Sequence, residues 1–175
     1  MTQIKITPAK PEDARAIREV QFKTWLATYP NAEVGITVED IEDRYKDSFS
    51  DESIRQREDQ IKNAPTHQRT FVAKEEEKVV GFCIVVKYED KNQLMAIYIL
   101  PEYQQKGIGG LLWQEAQKFF DKEKPTIVQV ATYNVGAINF YKKLGFKDTG
   151  KRFADERFKM KSGAIIPEME MEIKA

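Results

Sequence analysis

Cysteine is nearly absent. The chain of 175 residues holds one, Cys83, and a single histidine, His67. One thiol excludes an internal disulfide and a cysteine-built zinc site, and one histidine supplies no metal-ligand spacing. Cys83 lies within VVGFCIVV and reads as a small buried hydrophobe, while His67 lies in the polar stretch Asn63–Arg69 and reads as exposed. An excess of either charge is missing too: 28 basic residues balance 28 acidic ones. That balance argues against a nucleic-acid binder. No apolar run nears the roughly 20 residues of a membrane span, and the longest, Val79–Val86, is strand-sized. MTQIKITPAK lacks the basic and apolar regions of a secretory leader. There is no repeat, low-complexity tract or Pro/Gly/Ser-rich linker. These absences lead to the expectation of one soluble cytoplasmic domain over 1–175, without metal, nucleic acid or membrane as partner. What is present suffices for a core, since 41% of residues are hydrophobic and 32% charged.

The hydrophobic pattern divides the chain into a helical half and a half rich in strands. Ile4–Thr7 suits a short strand; Pro8 and Pro11 then lead into a helix with Ala14, Ile17 and Val20, ending near Tyr29–Pro30. Thr37 followed by Asp40 forms a capping-box pattern. It opens a charged helical stretch to about Lys62, open to a break around Ser48–Ser50. From Thr70 the period shortens. Thr70–Lys74 and Val79–Tyr88 read as a hairpin about Glu75–Lys78, and Gln93–Leu100 as a strand stopped by Pro101. Ile108, Leu112, Ala116 and Phe119 fall at helical spacing between Gly107 and Asp121. Ile127–Ala131 then suits a strand, and Asn134 caps a short helix that Gly145 closes. Two strands, near Lys147–Phe153 and Glu168–Lys174, end the chain. This order predicts an α/β layered domain.

The most informative segment is Tyr103-Gln104-Gln105-Lys106-Gly107-Ile108-Gly109-Gly110, between a strand and a helix. Glycine is costly in a helix, about 1 kcal/mol relative to alanine, so three in four positions call for compensation. Without Cβ atoms, an anion can approach the unpaired N–H groups of a helix's first turn, where the helix dipole favours it. The pattern therefore suits a phosphate or pyrophosphate, with Lys106 adding charge; tight strand-to-helix packing is the alternative. A P-loop is excluded because G-x-x-x-x-G-K-[ST] is absent. A dinucleotide fingerprint fails because Leu112 stands three positions after Gly109.

Gln104-x-x-Gly107-x-Gly109 resembles the acyl-CoA turn [QR]-x-x-G-x-[GA] of the GNAT superfamily of N-acetyltransferases. Asn134-x-x-Ala137-x-x-Phe140-Tyr141-x-x-Leu144-Gly145-Phe146 resembles that family's second motif, in the right order. The resemblance implies a single-domain GNAT fold: a mixed sheet of about seven strands with flanking helices, in which two parallel strands, here Gln93–Leu100 and Ile127–Ala131, splay apart. It implies acetyl-CoA as co-substrate and no metal. Backbone groups of Ile97, Tyr98 and Ile99 would pair with pantetheine, and an N–H there would polarise the thioester carbonyl. Gln104, Gln105, Lys106, Gly107, Ile108, Gly109 and Gly110 would hold the pyrophosphate, and Asn134 would contact the cofactor arm besides capping its helix. Tyr141 matches the tyrosine whose hydroxyl protonates the departing sulfur.

The base is not legible. The cleft-strand position often held by glutamate is Gln93 here. The glutamate that precedes the asparagine by five positions in ribosomal-protein alanine acetyltransferases is Gln129. A water relay to more distant acids, or a base from the helical half, would have to replace them. Trp25 and Tyr29, four apart on the first helix, are candidates for an acceptor wall or for core packing. Residues 33–62 carry ten acids against five bases, and 142–161 eight bases against three acids. The first is either a solvated face or a field that draws a cationic amine, the second either surface lysines or a field for CoA phosphates. The expected reaction is acetylation of a primary amine of a small molecule, polyamine-like, or of a peptide. Protein N-termini or lysines, and a non-catalytic acyl-CoA-binding module, are the rivals. The resemblance also allows a homodimer through the C-terminal strands, where Glu168–Ile173 alternates.

Overall fold

β1 (Ile4–Pro8) gives way at its proline to a short 3-10 turn, Pro11–Asp13, that starts α1 (Ala14–Thr28). A computed structural model describes residues 3–175; Met1 and Thr2, at the head of the segment read for a leader, lie outside the described residues. The charged stretch that follows is two helices, α2 (Val38–Tyr45) and α3 (Asp51–Lys62), broken by a turn. The capping box is formed at α2, with the Asp40 N–H donating to Thr37 Oγ1 at 3.1 Å and the Thr37 N–H to Asp40 Oδ2 at 2.9 Å. Ser50 caps α3 by accepting from the Ser53 N–H. β2 (Gln68–Glu75), β3 (Lys78–Lys87) and β4 (Asn92–Ile99) form a meander. α4 (Ile108–Phe119), β5 (Thr126–Ala131), α5 (Val135–Lys143), β6 (Lys147–Ala154) and β7 (Pro167–Ile173) complete the chain.

The seven strands form one sheet in the order β1-β2-β3-β4-β5-β7-β6, antiparallel except for β4 beside β5. The main core lies between the sheet and its helices and includes Ile17, Val72, Phe82, Ile108, Leu112 and Met171. A second apolar cluster, with Trp25, Ile41, Tyr45, Ala131 and Ile166, joins α1 and α2 to the far half of the sheet. β7 is paired on both sides, to β5 and β6, so the alternating segment Glu168–Ile173 is interior to the sheet. The edges are β1 and β6, and β6 is almost wholly exposed, bulged between Asp148 and Arg152, and studded with charge. Such an edge resists pairing with another chain. Among the described residues no helix is long and apolar enough to cross a membrane.

Candidate active site

The cleft begins where β4 and β5 part. Their parallel pairing covers Asn92↔Thr126, Gln93↔Ile127 and Leu94↔Val128, then stops. On the other side, β4 stays paired to β3, but Ile84 faces Ala96 and Val85 faces Leu94, leaving Met95 as an extra residue. A bulge bends its strand and ends pairing with a neighbour, which accounts for the parting at this point. The rest of β4, with Ile97, Tyr98 and Ile99, therefore has no strand partner on its β5 side. The Ile99 carbonyl is occupied, accepting from Gln104 Nε2 at 3.1 Å and more distantly from Thr24 Oγ1.

Beyond β4 the chain turns at Pro101–Tyr103 and enters α4 through the glycines. The Gln104 N–H bonds the Pro101 carbonyl, and the next amide with a backbone acceptor is Leu111, on Gly107. The amides of Gln105, Lys106, Gly107, Ile108, Gly109 and Gly110 between them have none among the described residues. Each glycine has a different reason. Gly107 has φ +82°, left-handed backbone that favours glycine. A Cβ at Gly109 would meet Phe140 Cε2 at 3.0 Å, so its absence lets α5 pack against α4. Gly110 needs neither, since a Cβ there would meet open space. Lys106 Nζ lies 4.8 Å from the Tyr103 ring centroid. Asn134 caps α5, its Oδ1 accepting from the Ala137 N–H at 3.1 Å, which leaves its NH2 group unused among the described residues.

Three tyrosines line the interior beside the cleft. Tyr141, from α5, is 6% exposed and packs against Phe140 and Phe146. Burial, then Tyr98 and Cys83, pushes its phenol far above the usual value, so it stays protonated. Tyr98, on β4, stacks on Phe82, and burial raises it also, eased by the adjacent Tyr29 and Trp25. Tyr29, at the end of α1, is raised by burial and then by Tyr98. Trp25 and Tyr29 lie ring to ring at 4.5 Å. Trp25 belongs to the second core cluster, with Tyr29 packed against it.

Sequence reasoning missed Glu168. Register pairs it with Ala131 at the end of β5, and its charge is felt by Tyr29 and Tyr98. Glu168 Oε2 is buried without a hydrogen-bond partner among the described residues. Burial, then repulsion from Asp155, raises its carboxyl above the ordinary range against the pull of Arg157. An unpartnered carboxylate oxygen of raised pKa is fit to accept a proton. Neither glutamine offers this: Gln93 is buried in the paired part of β4, and Gln129 points to solvent. His67 is exposed ahead of β2.

Most of the ten acids of 33–62 face solvent or are used within the fold, and Asp43 and Glu58 are half-buried. Glu33, Glu39, Glu42, Asp47, Asp51, Glu52 and Asp59 are exposed, and buried Asp40 is consumed by its capping box and by Ser162.

The sequence profile of the Acetyltransferase (GNAT) family matches residues 36–146. An uncharacterized N-acetyltransferase of Chlorobaculum tepidum is 31% identical over 99 residues, which cover 55% of this chain and only 62% of that protein. The spermidine N(1)-acetyltransferase of Thermoplasma acidophilum is 29% identical over 150 residues, 82% of this chain and 88% of that one. Among solved structures, PaiA N-acetyltransferase from Thermoplasma acidophilum, in complex with coenzyme A, superposes with a TM-score of 0.75 at 25% identity over 99% of both chains. The ribosomal-protein-S18-alanine N-acetyltransferase of Escherichia coli shares the fold, with a TM-score of 0.66 at 16% identity over 98% of this chain and 93% of that one.

Proposed function

Because the chain belongs to the acetyltransferase (GNAT) family, we propose that it moves an acetyl group from acetyl-CoA directly to a primary amine of a small molecule or peptide, both substrates being held together. The observation that carries this reading is the parting of β4 from β5 immediately beside six unpaired amides. That donor set fits acetyl-CoA: amides from Gln105 to Gly110 for its pyrophosphate, open space at Gly110, and, for its pantetheine, the β5-facing side of Ile97, Tyr98 and Ile99, where only the Ile99 carbonyl is already engaged. Acetyl-CoA supplies the thioester whose C–S bond breaks as the C–N bond forms. An amide on β4 polarises the carbonyl, and the Asn134 side chain steadies the arm.

Proton traffic falls to two residues. An alkylammonium of pKa near 10.4 must lose a proton, roughly 5 kcal/mol uphill at pH 7. Glu168 takes that proton, the Tyr141 hydroxyl donates one to the departing sulfur, and the second proton that the nitrogen sheds as the C–N bond forms restores that hydroxyl. Trp25 and Tyr29 form the aromatic wall on the acceptor side, where a polyamine acceptor is supported by the likeness to the spermidine enzyme. The test is incubation with acetyl-CoA and a panel of polyamines, amino acids, peptides and protein N-termini, read by thiol release and product mass. Amine-dependent release of CoA is expected; acetyl-CoA binding without release by any amine would leave a binding module in its place.

A further inference from the structure

A pocket of about 380 Å³ opens between α1, α2 and the β6–β7 connection, lined among others by Arg18, Trp25, Arg44, Tyr45 and Phe158. Its charge is the reverse of what counting along 33–62 implies. Arg18 and Arg44 face it, and Arg57 of α3 stands behind, close enough for its charge to act on Arg18 and Tyr45. None of the three arginines makes a salt bridge among the described residues. Their hydrogen bonds go to neutral acceptors: Arg18 to Gln21 Oε1 at 3.2 Å, Arg44 to the Arg157 carbonyl at 3.2 Å, Arg57 to Gln60 Oε1 at 3.4 Å. Arg18 Nε and Arg57 Nε are buried with no acceptor among the described residues.

This is an expensive arrangement for an empty surface. Arg18 and Arg57 are half-buried and Arg44 is exposed; like charges gathered in one place repel, and burial, then Arg18, makes the Arg57 guanidinium easier to deprotonate than a free one. Acids are close in sequence to relieve it, yet none pairs with these arginines among the described residues, and Asp43 pairs with Lys46 and Lys161 instead. Arg44 is moreover held in place, its Cζ 5.2 Å from the ring centroids of both Trp25 and Phe158. A guanidinium stacked on aromatic rings keeps its N–H fork available for an oxyanion.

Resting on the acetyltransferase reading above, we infer that this pocket binds an anionic group of the acceptor, a carboxylate or a phosphate, set apart from the amine that receives the acetyl group. Trp25 links the two places, since it lines the pocket and touches Tyr29 beside the cleft. An amine reaching Glu168 and an anion held by Arg18 and Arg44 therefore belong on one molecule. An amino-carboxylate, a peptide or an aminoalkyl phosphate meets that requirement; a plain polyamine lacks the anion.

Two measurements test this. The first needs no turnover: with coenzyme A saturating, so that its own phosphate site is filled, Tm is followed in sodium phosphate and in glycylglycine against sodium chloride of equal ionic strength. Phosphate, glycylglycine or both are expected to raise Tm of the unaltered protein, and Arg18→Gln and Arg44→Gln to lose that rise. A rise that survives both substitutions, or no rise, overturns the inference whatever the catalytic result. The second compares acceptors matched in their amine: glycylglycine against its amide, and phosphoethanolamine against ethanolamine. At least one anionic member should be preferred by about tenfold or more in kcat/KM, and the preference should collapse in both arginine variants. The winning pair tells carboxylate from phosphate. Turnover in which the neutral amines or spermidine are preferred would sink the anion site while leaving the acetyltransferase standing.

Discussion

Asp40 and Ser162 lie 122 positions apart in sequence, and their contact ties α2 to the β6–β7 connection. Asp40 accepts from the Ser162 N–H and from Ser162 Oγ, both at 2.8 Å, while it also caps α2 through Thr37. That contact joins the element carrying Arg44 and Tyr45 to the connection carrying Phe158, and all three line the pocket between them.

Burial raises the Asp40 carboxyl, but the hydrogen bonds from Thr37 and Ser162 outweigh it and hold it below the usual 3.8. A lowered folded value contributes stability above the unfolded value, and that contribution is lost as pH falls through the folded one. Asp40→Ala should cost about 1–3 kcal/mol at pH 7, with a smaller difference at pH 3. Urea unfolding at the two pH values measures both; an equal loss at each would show that the carboxylate charge is not what matters.

The glycines of the cofactor turn should separate by function. Gly109→Ala forces the Phe140 ring away from a 3.0 Å contact, so it should lower stability by about 1–3 kcal/mol. Gly110→Ala meets nothing and should stabilise α4 by about 1 kcal/mol. If the neighbouring amides cradle pyrophosphate, the same methyl should weaken coenzyme A by about tenfold or more, the worth of one hydrogen bond to a charged oxygen. Thermal unfolding and calorimetric titration of both variants give the answer, and unchanged affinity in Gly110→Ala would remove that residue from the cofactor site.

Local signals made much of this legible. The Thr37–Asp40 box, the hairpin about Glu75–Lys78, the glycine turn and the Asn134 cap each depend on residues within a few positions of one another. What was hidden depends on which side of an element a residue faces. Summing charge over 33–62 cannot tell that most of the acids are exposed while Arg44 lies over the Trp25 and Phe158 rings and Arg57 is half-buried. Glu168 looked like one of three alternating glutamates, and only its register opposite Ala131 brings it near Tyr98. The same register makes β7 an interior strand.

Tyr141→Phe should leave the fold intact, because its hydroxyl forms no hydrogen bond among the described residues while its ring keeps its contacts with Phe140 and Phe146. A proton donor to the sulfur contributes roughly 10²-fold or more. We expect kcat to fall by that order with coenzyme A affinity unchanged. Equal turnover in Tyr141→Phe, measured with any accepted amine, would remove the hydroxyl from the reaction.

Glu168→Gln should slow the enzyme and stabilise the protein. A carboxyl raised by burial binds its proton more tightly in the folded chain. Such a group adds stability below its unfolded value and withdraws it as pH rises through the folded one. At pH 8 the buried charge is therefore a burden, and a neutral glutamine of the same shape relieves it, so Tm at pH 8 should rise. Catalysis should change in the opposite sense, with kcat down on the order of 10²-fold. The profile of kcat/KM decides the role. The acid limb in the unaltered protein, from protonation of Glu168, should lie above the ordinary carboxylate range and vanish in the variant. A limb that persists unchanged in Glu168→Gln assigns the base elsewhere, even if the variant is slow, because a merely structural loss would lower the rate at every pH alike.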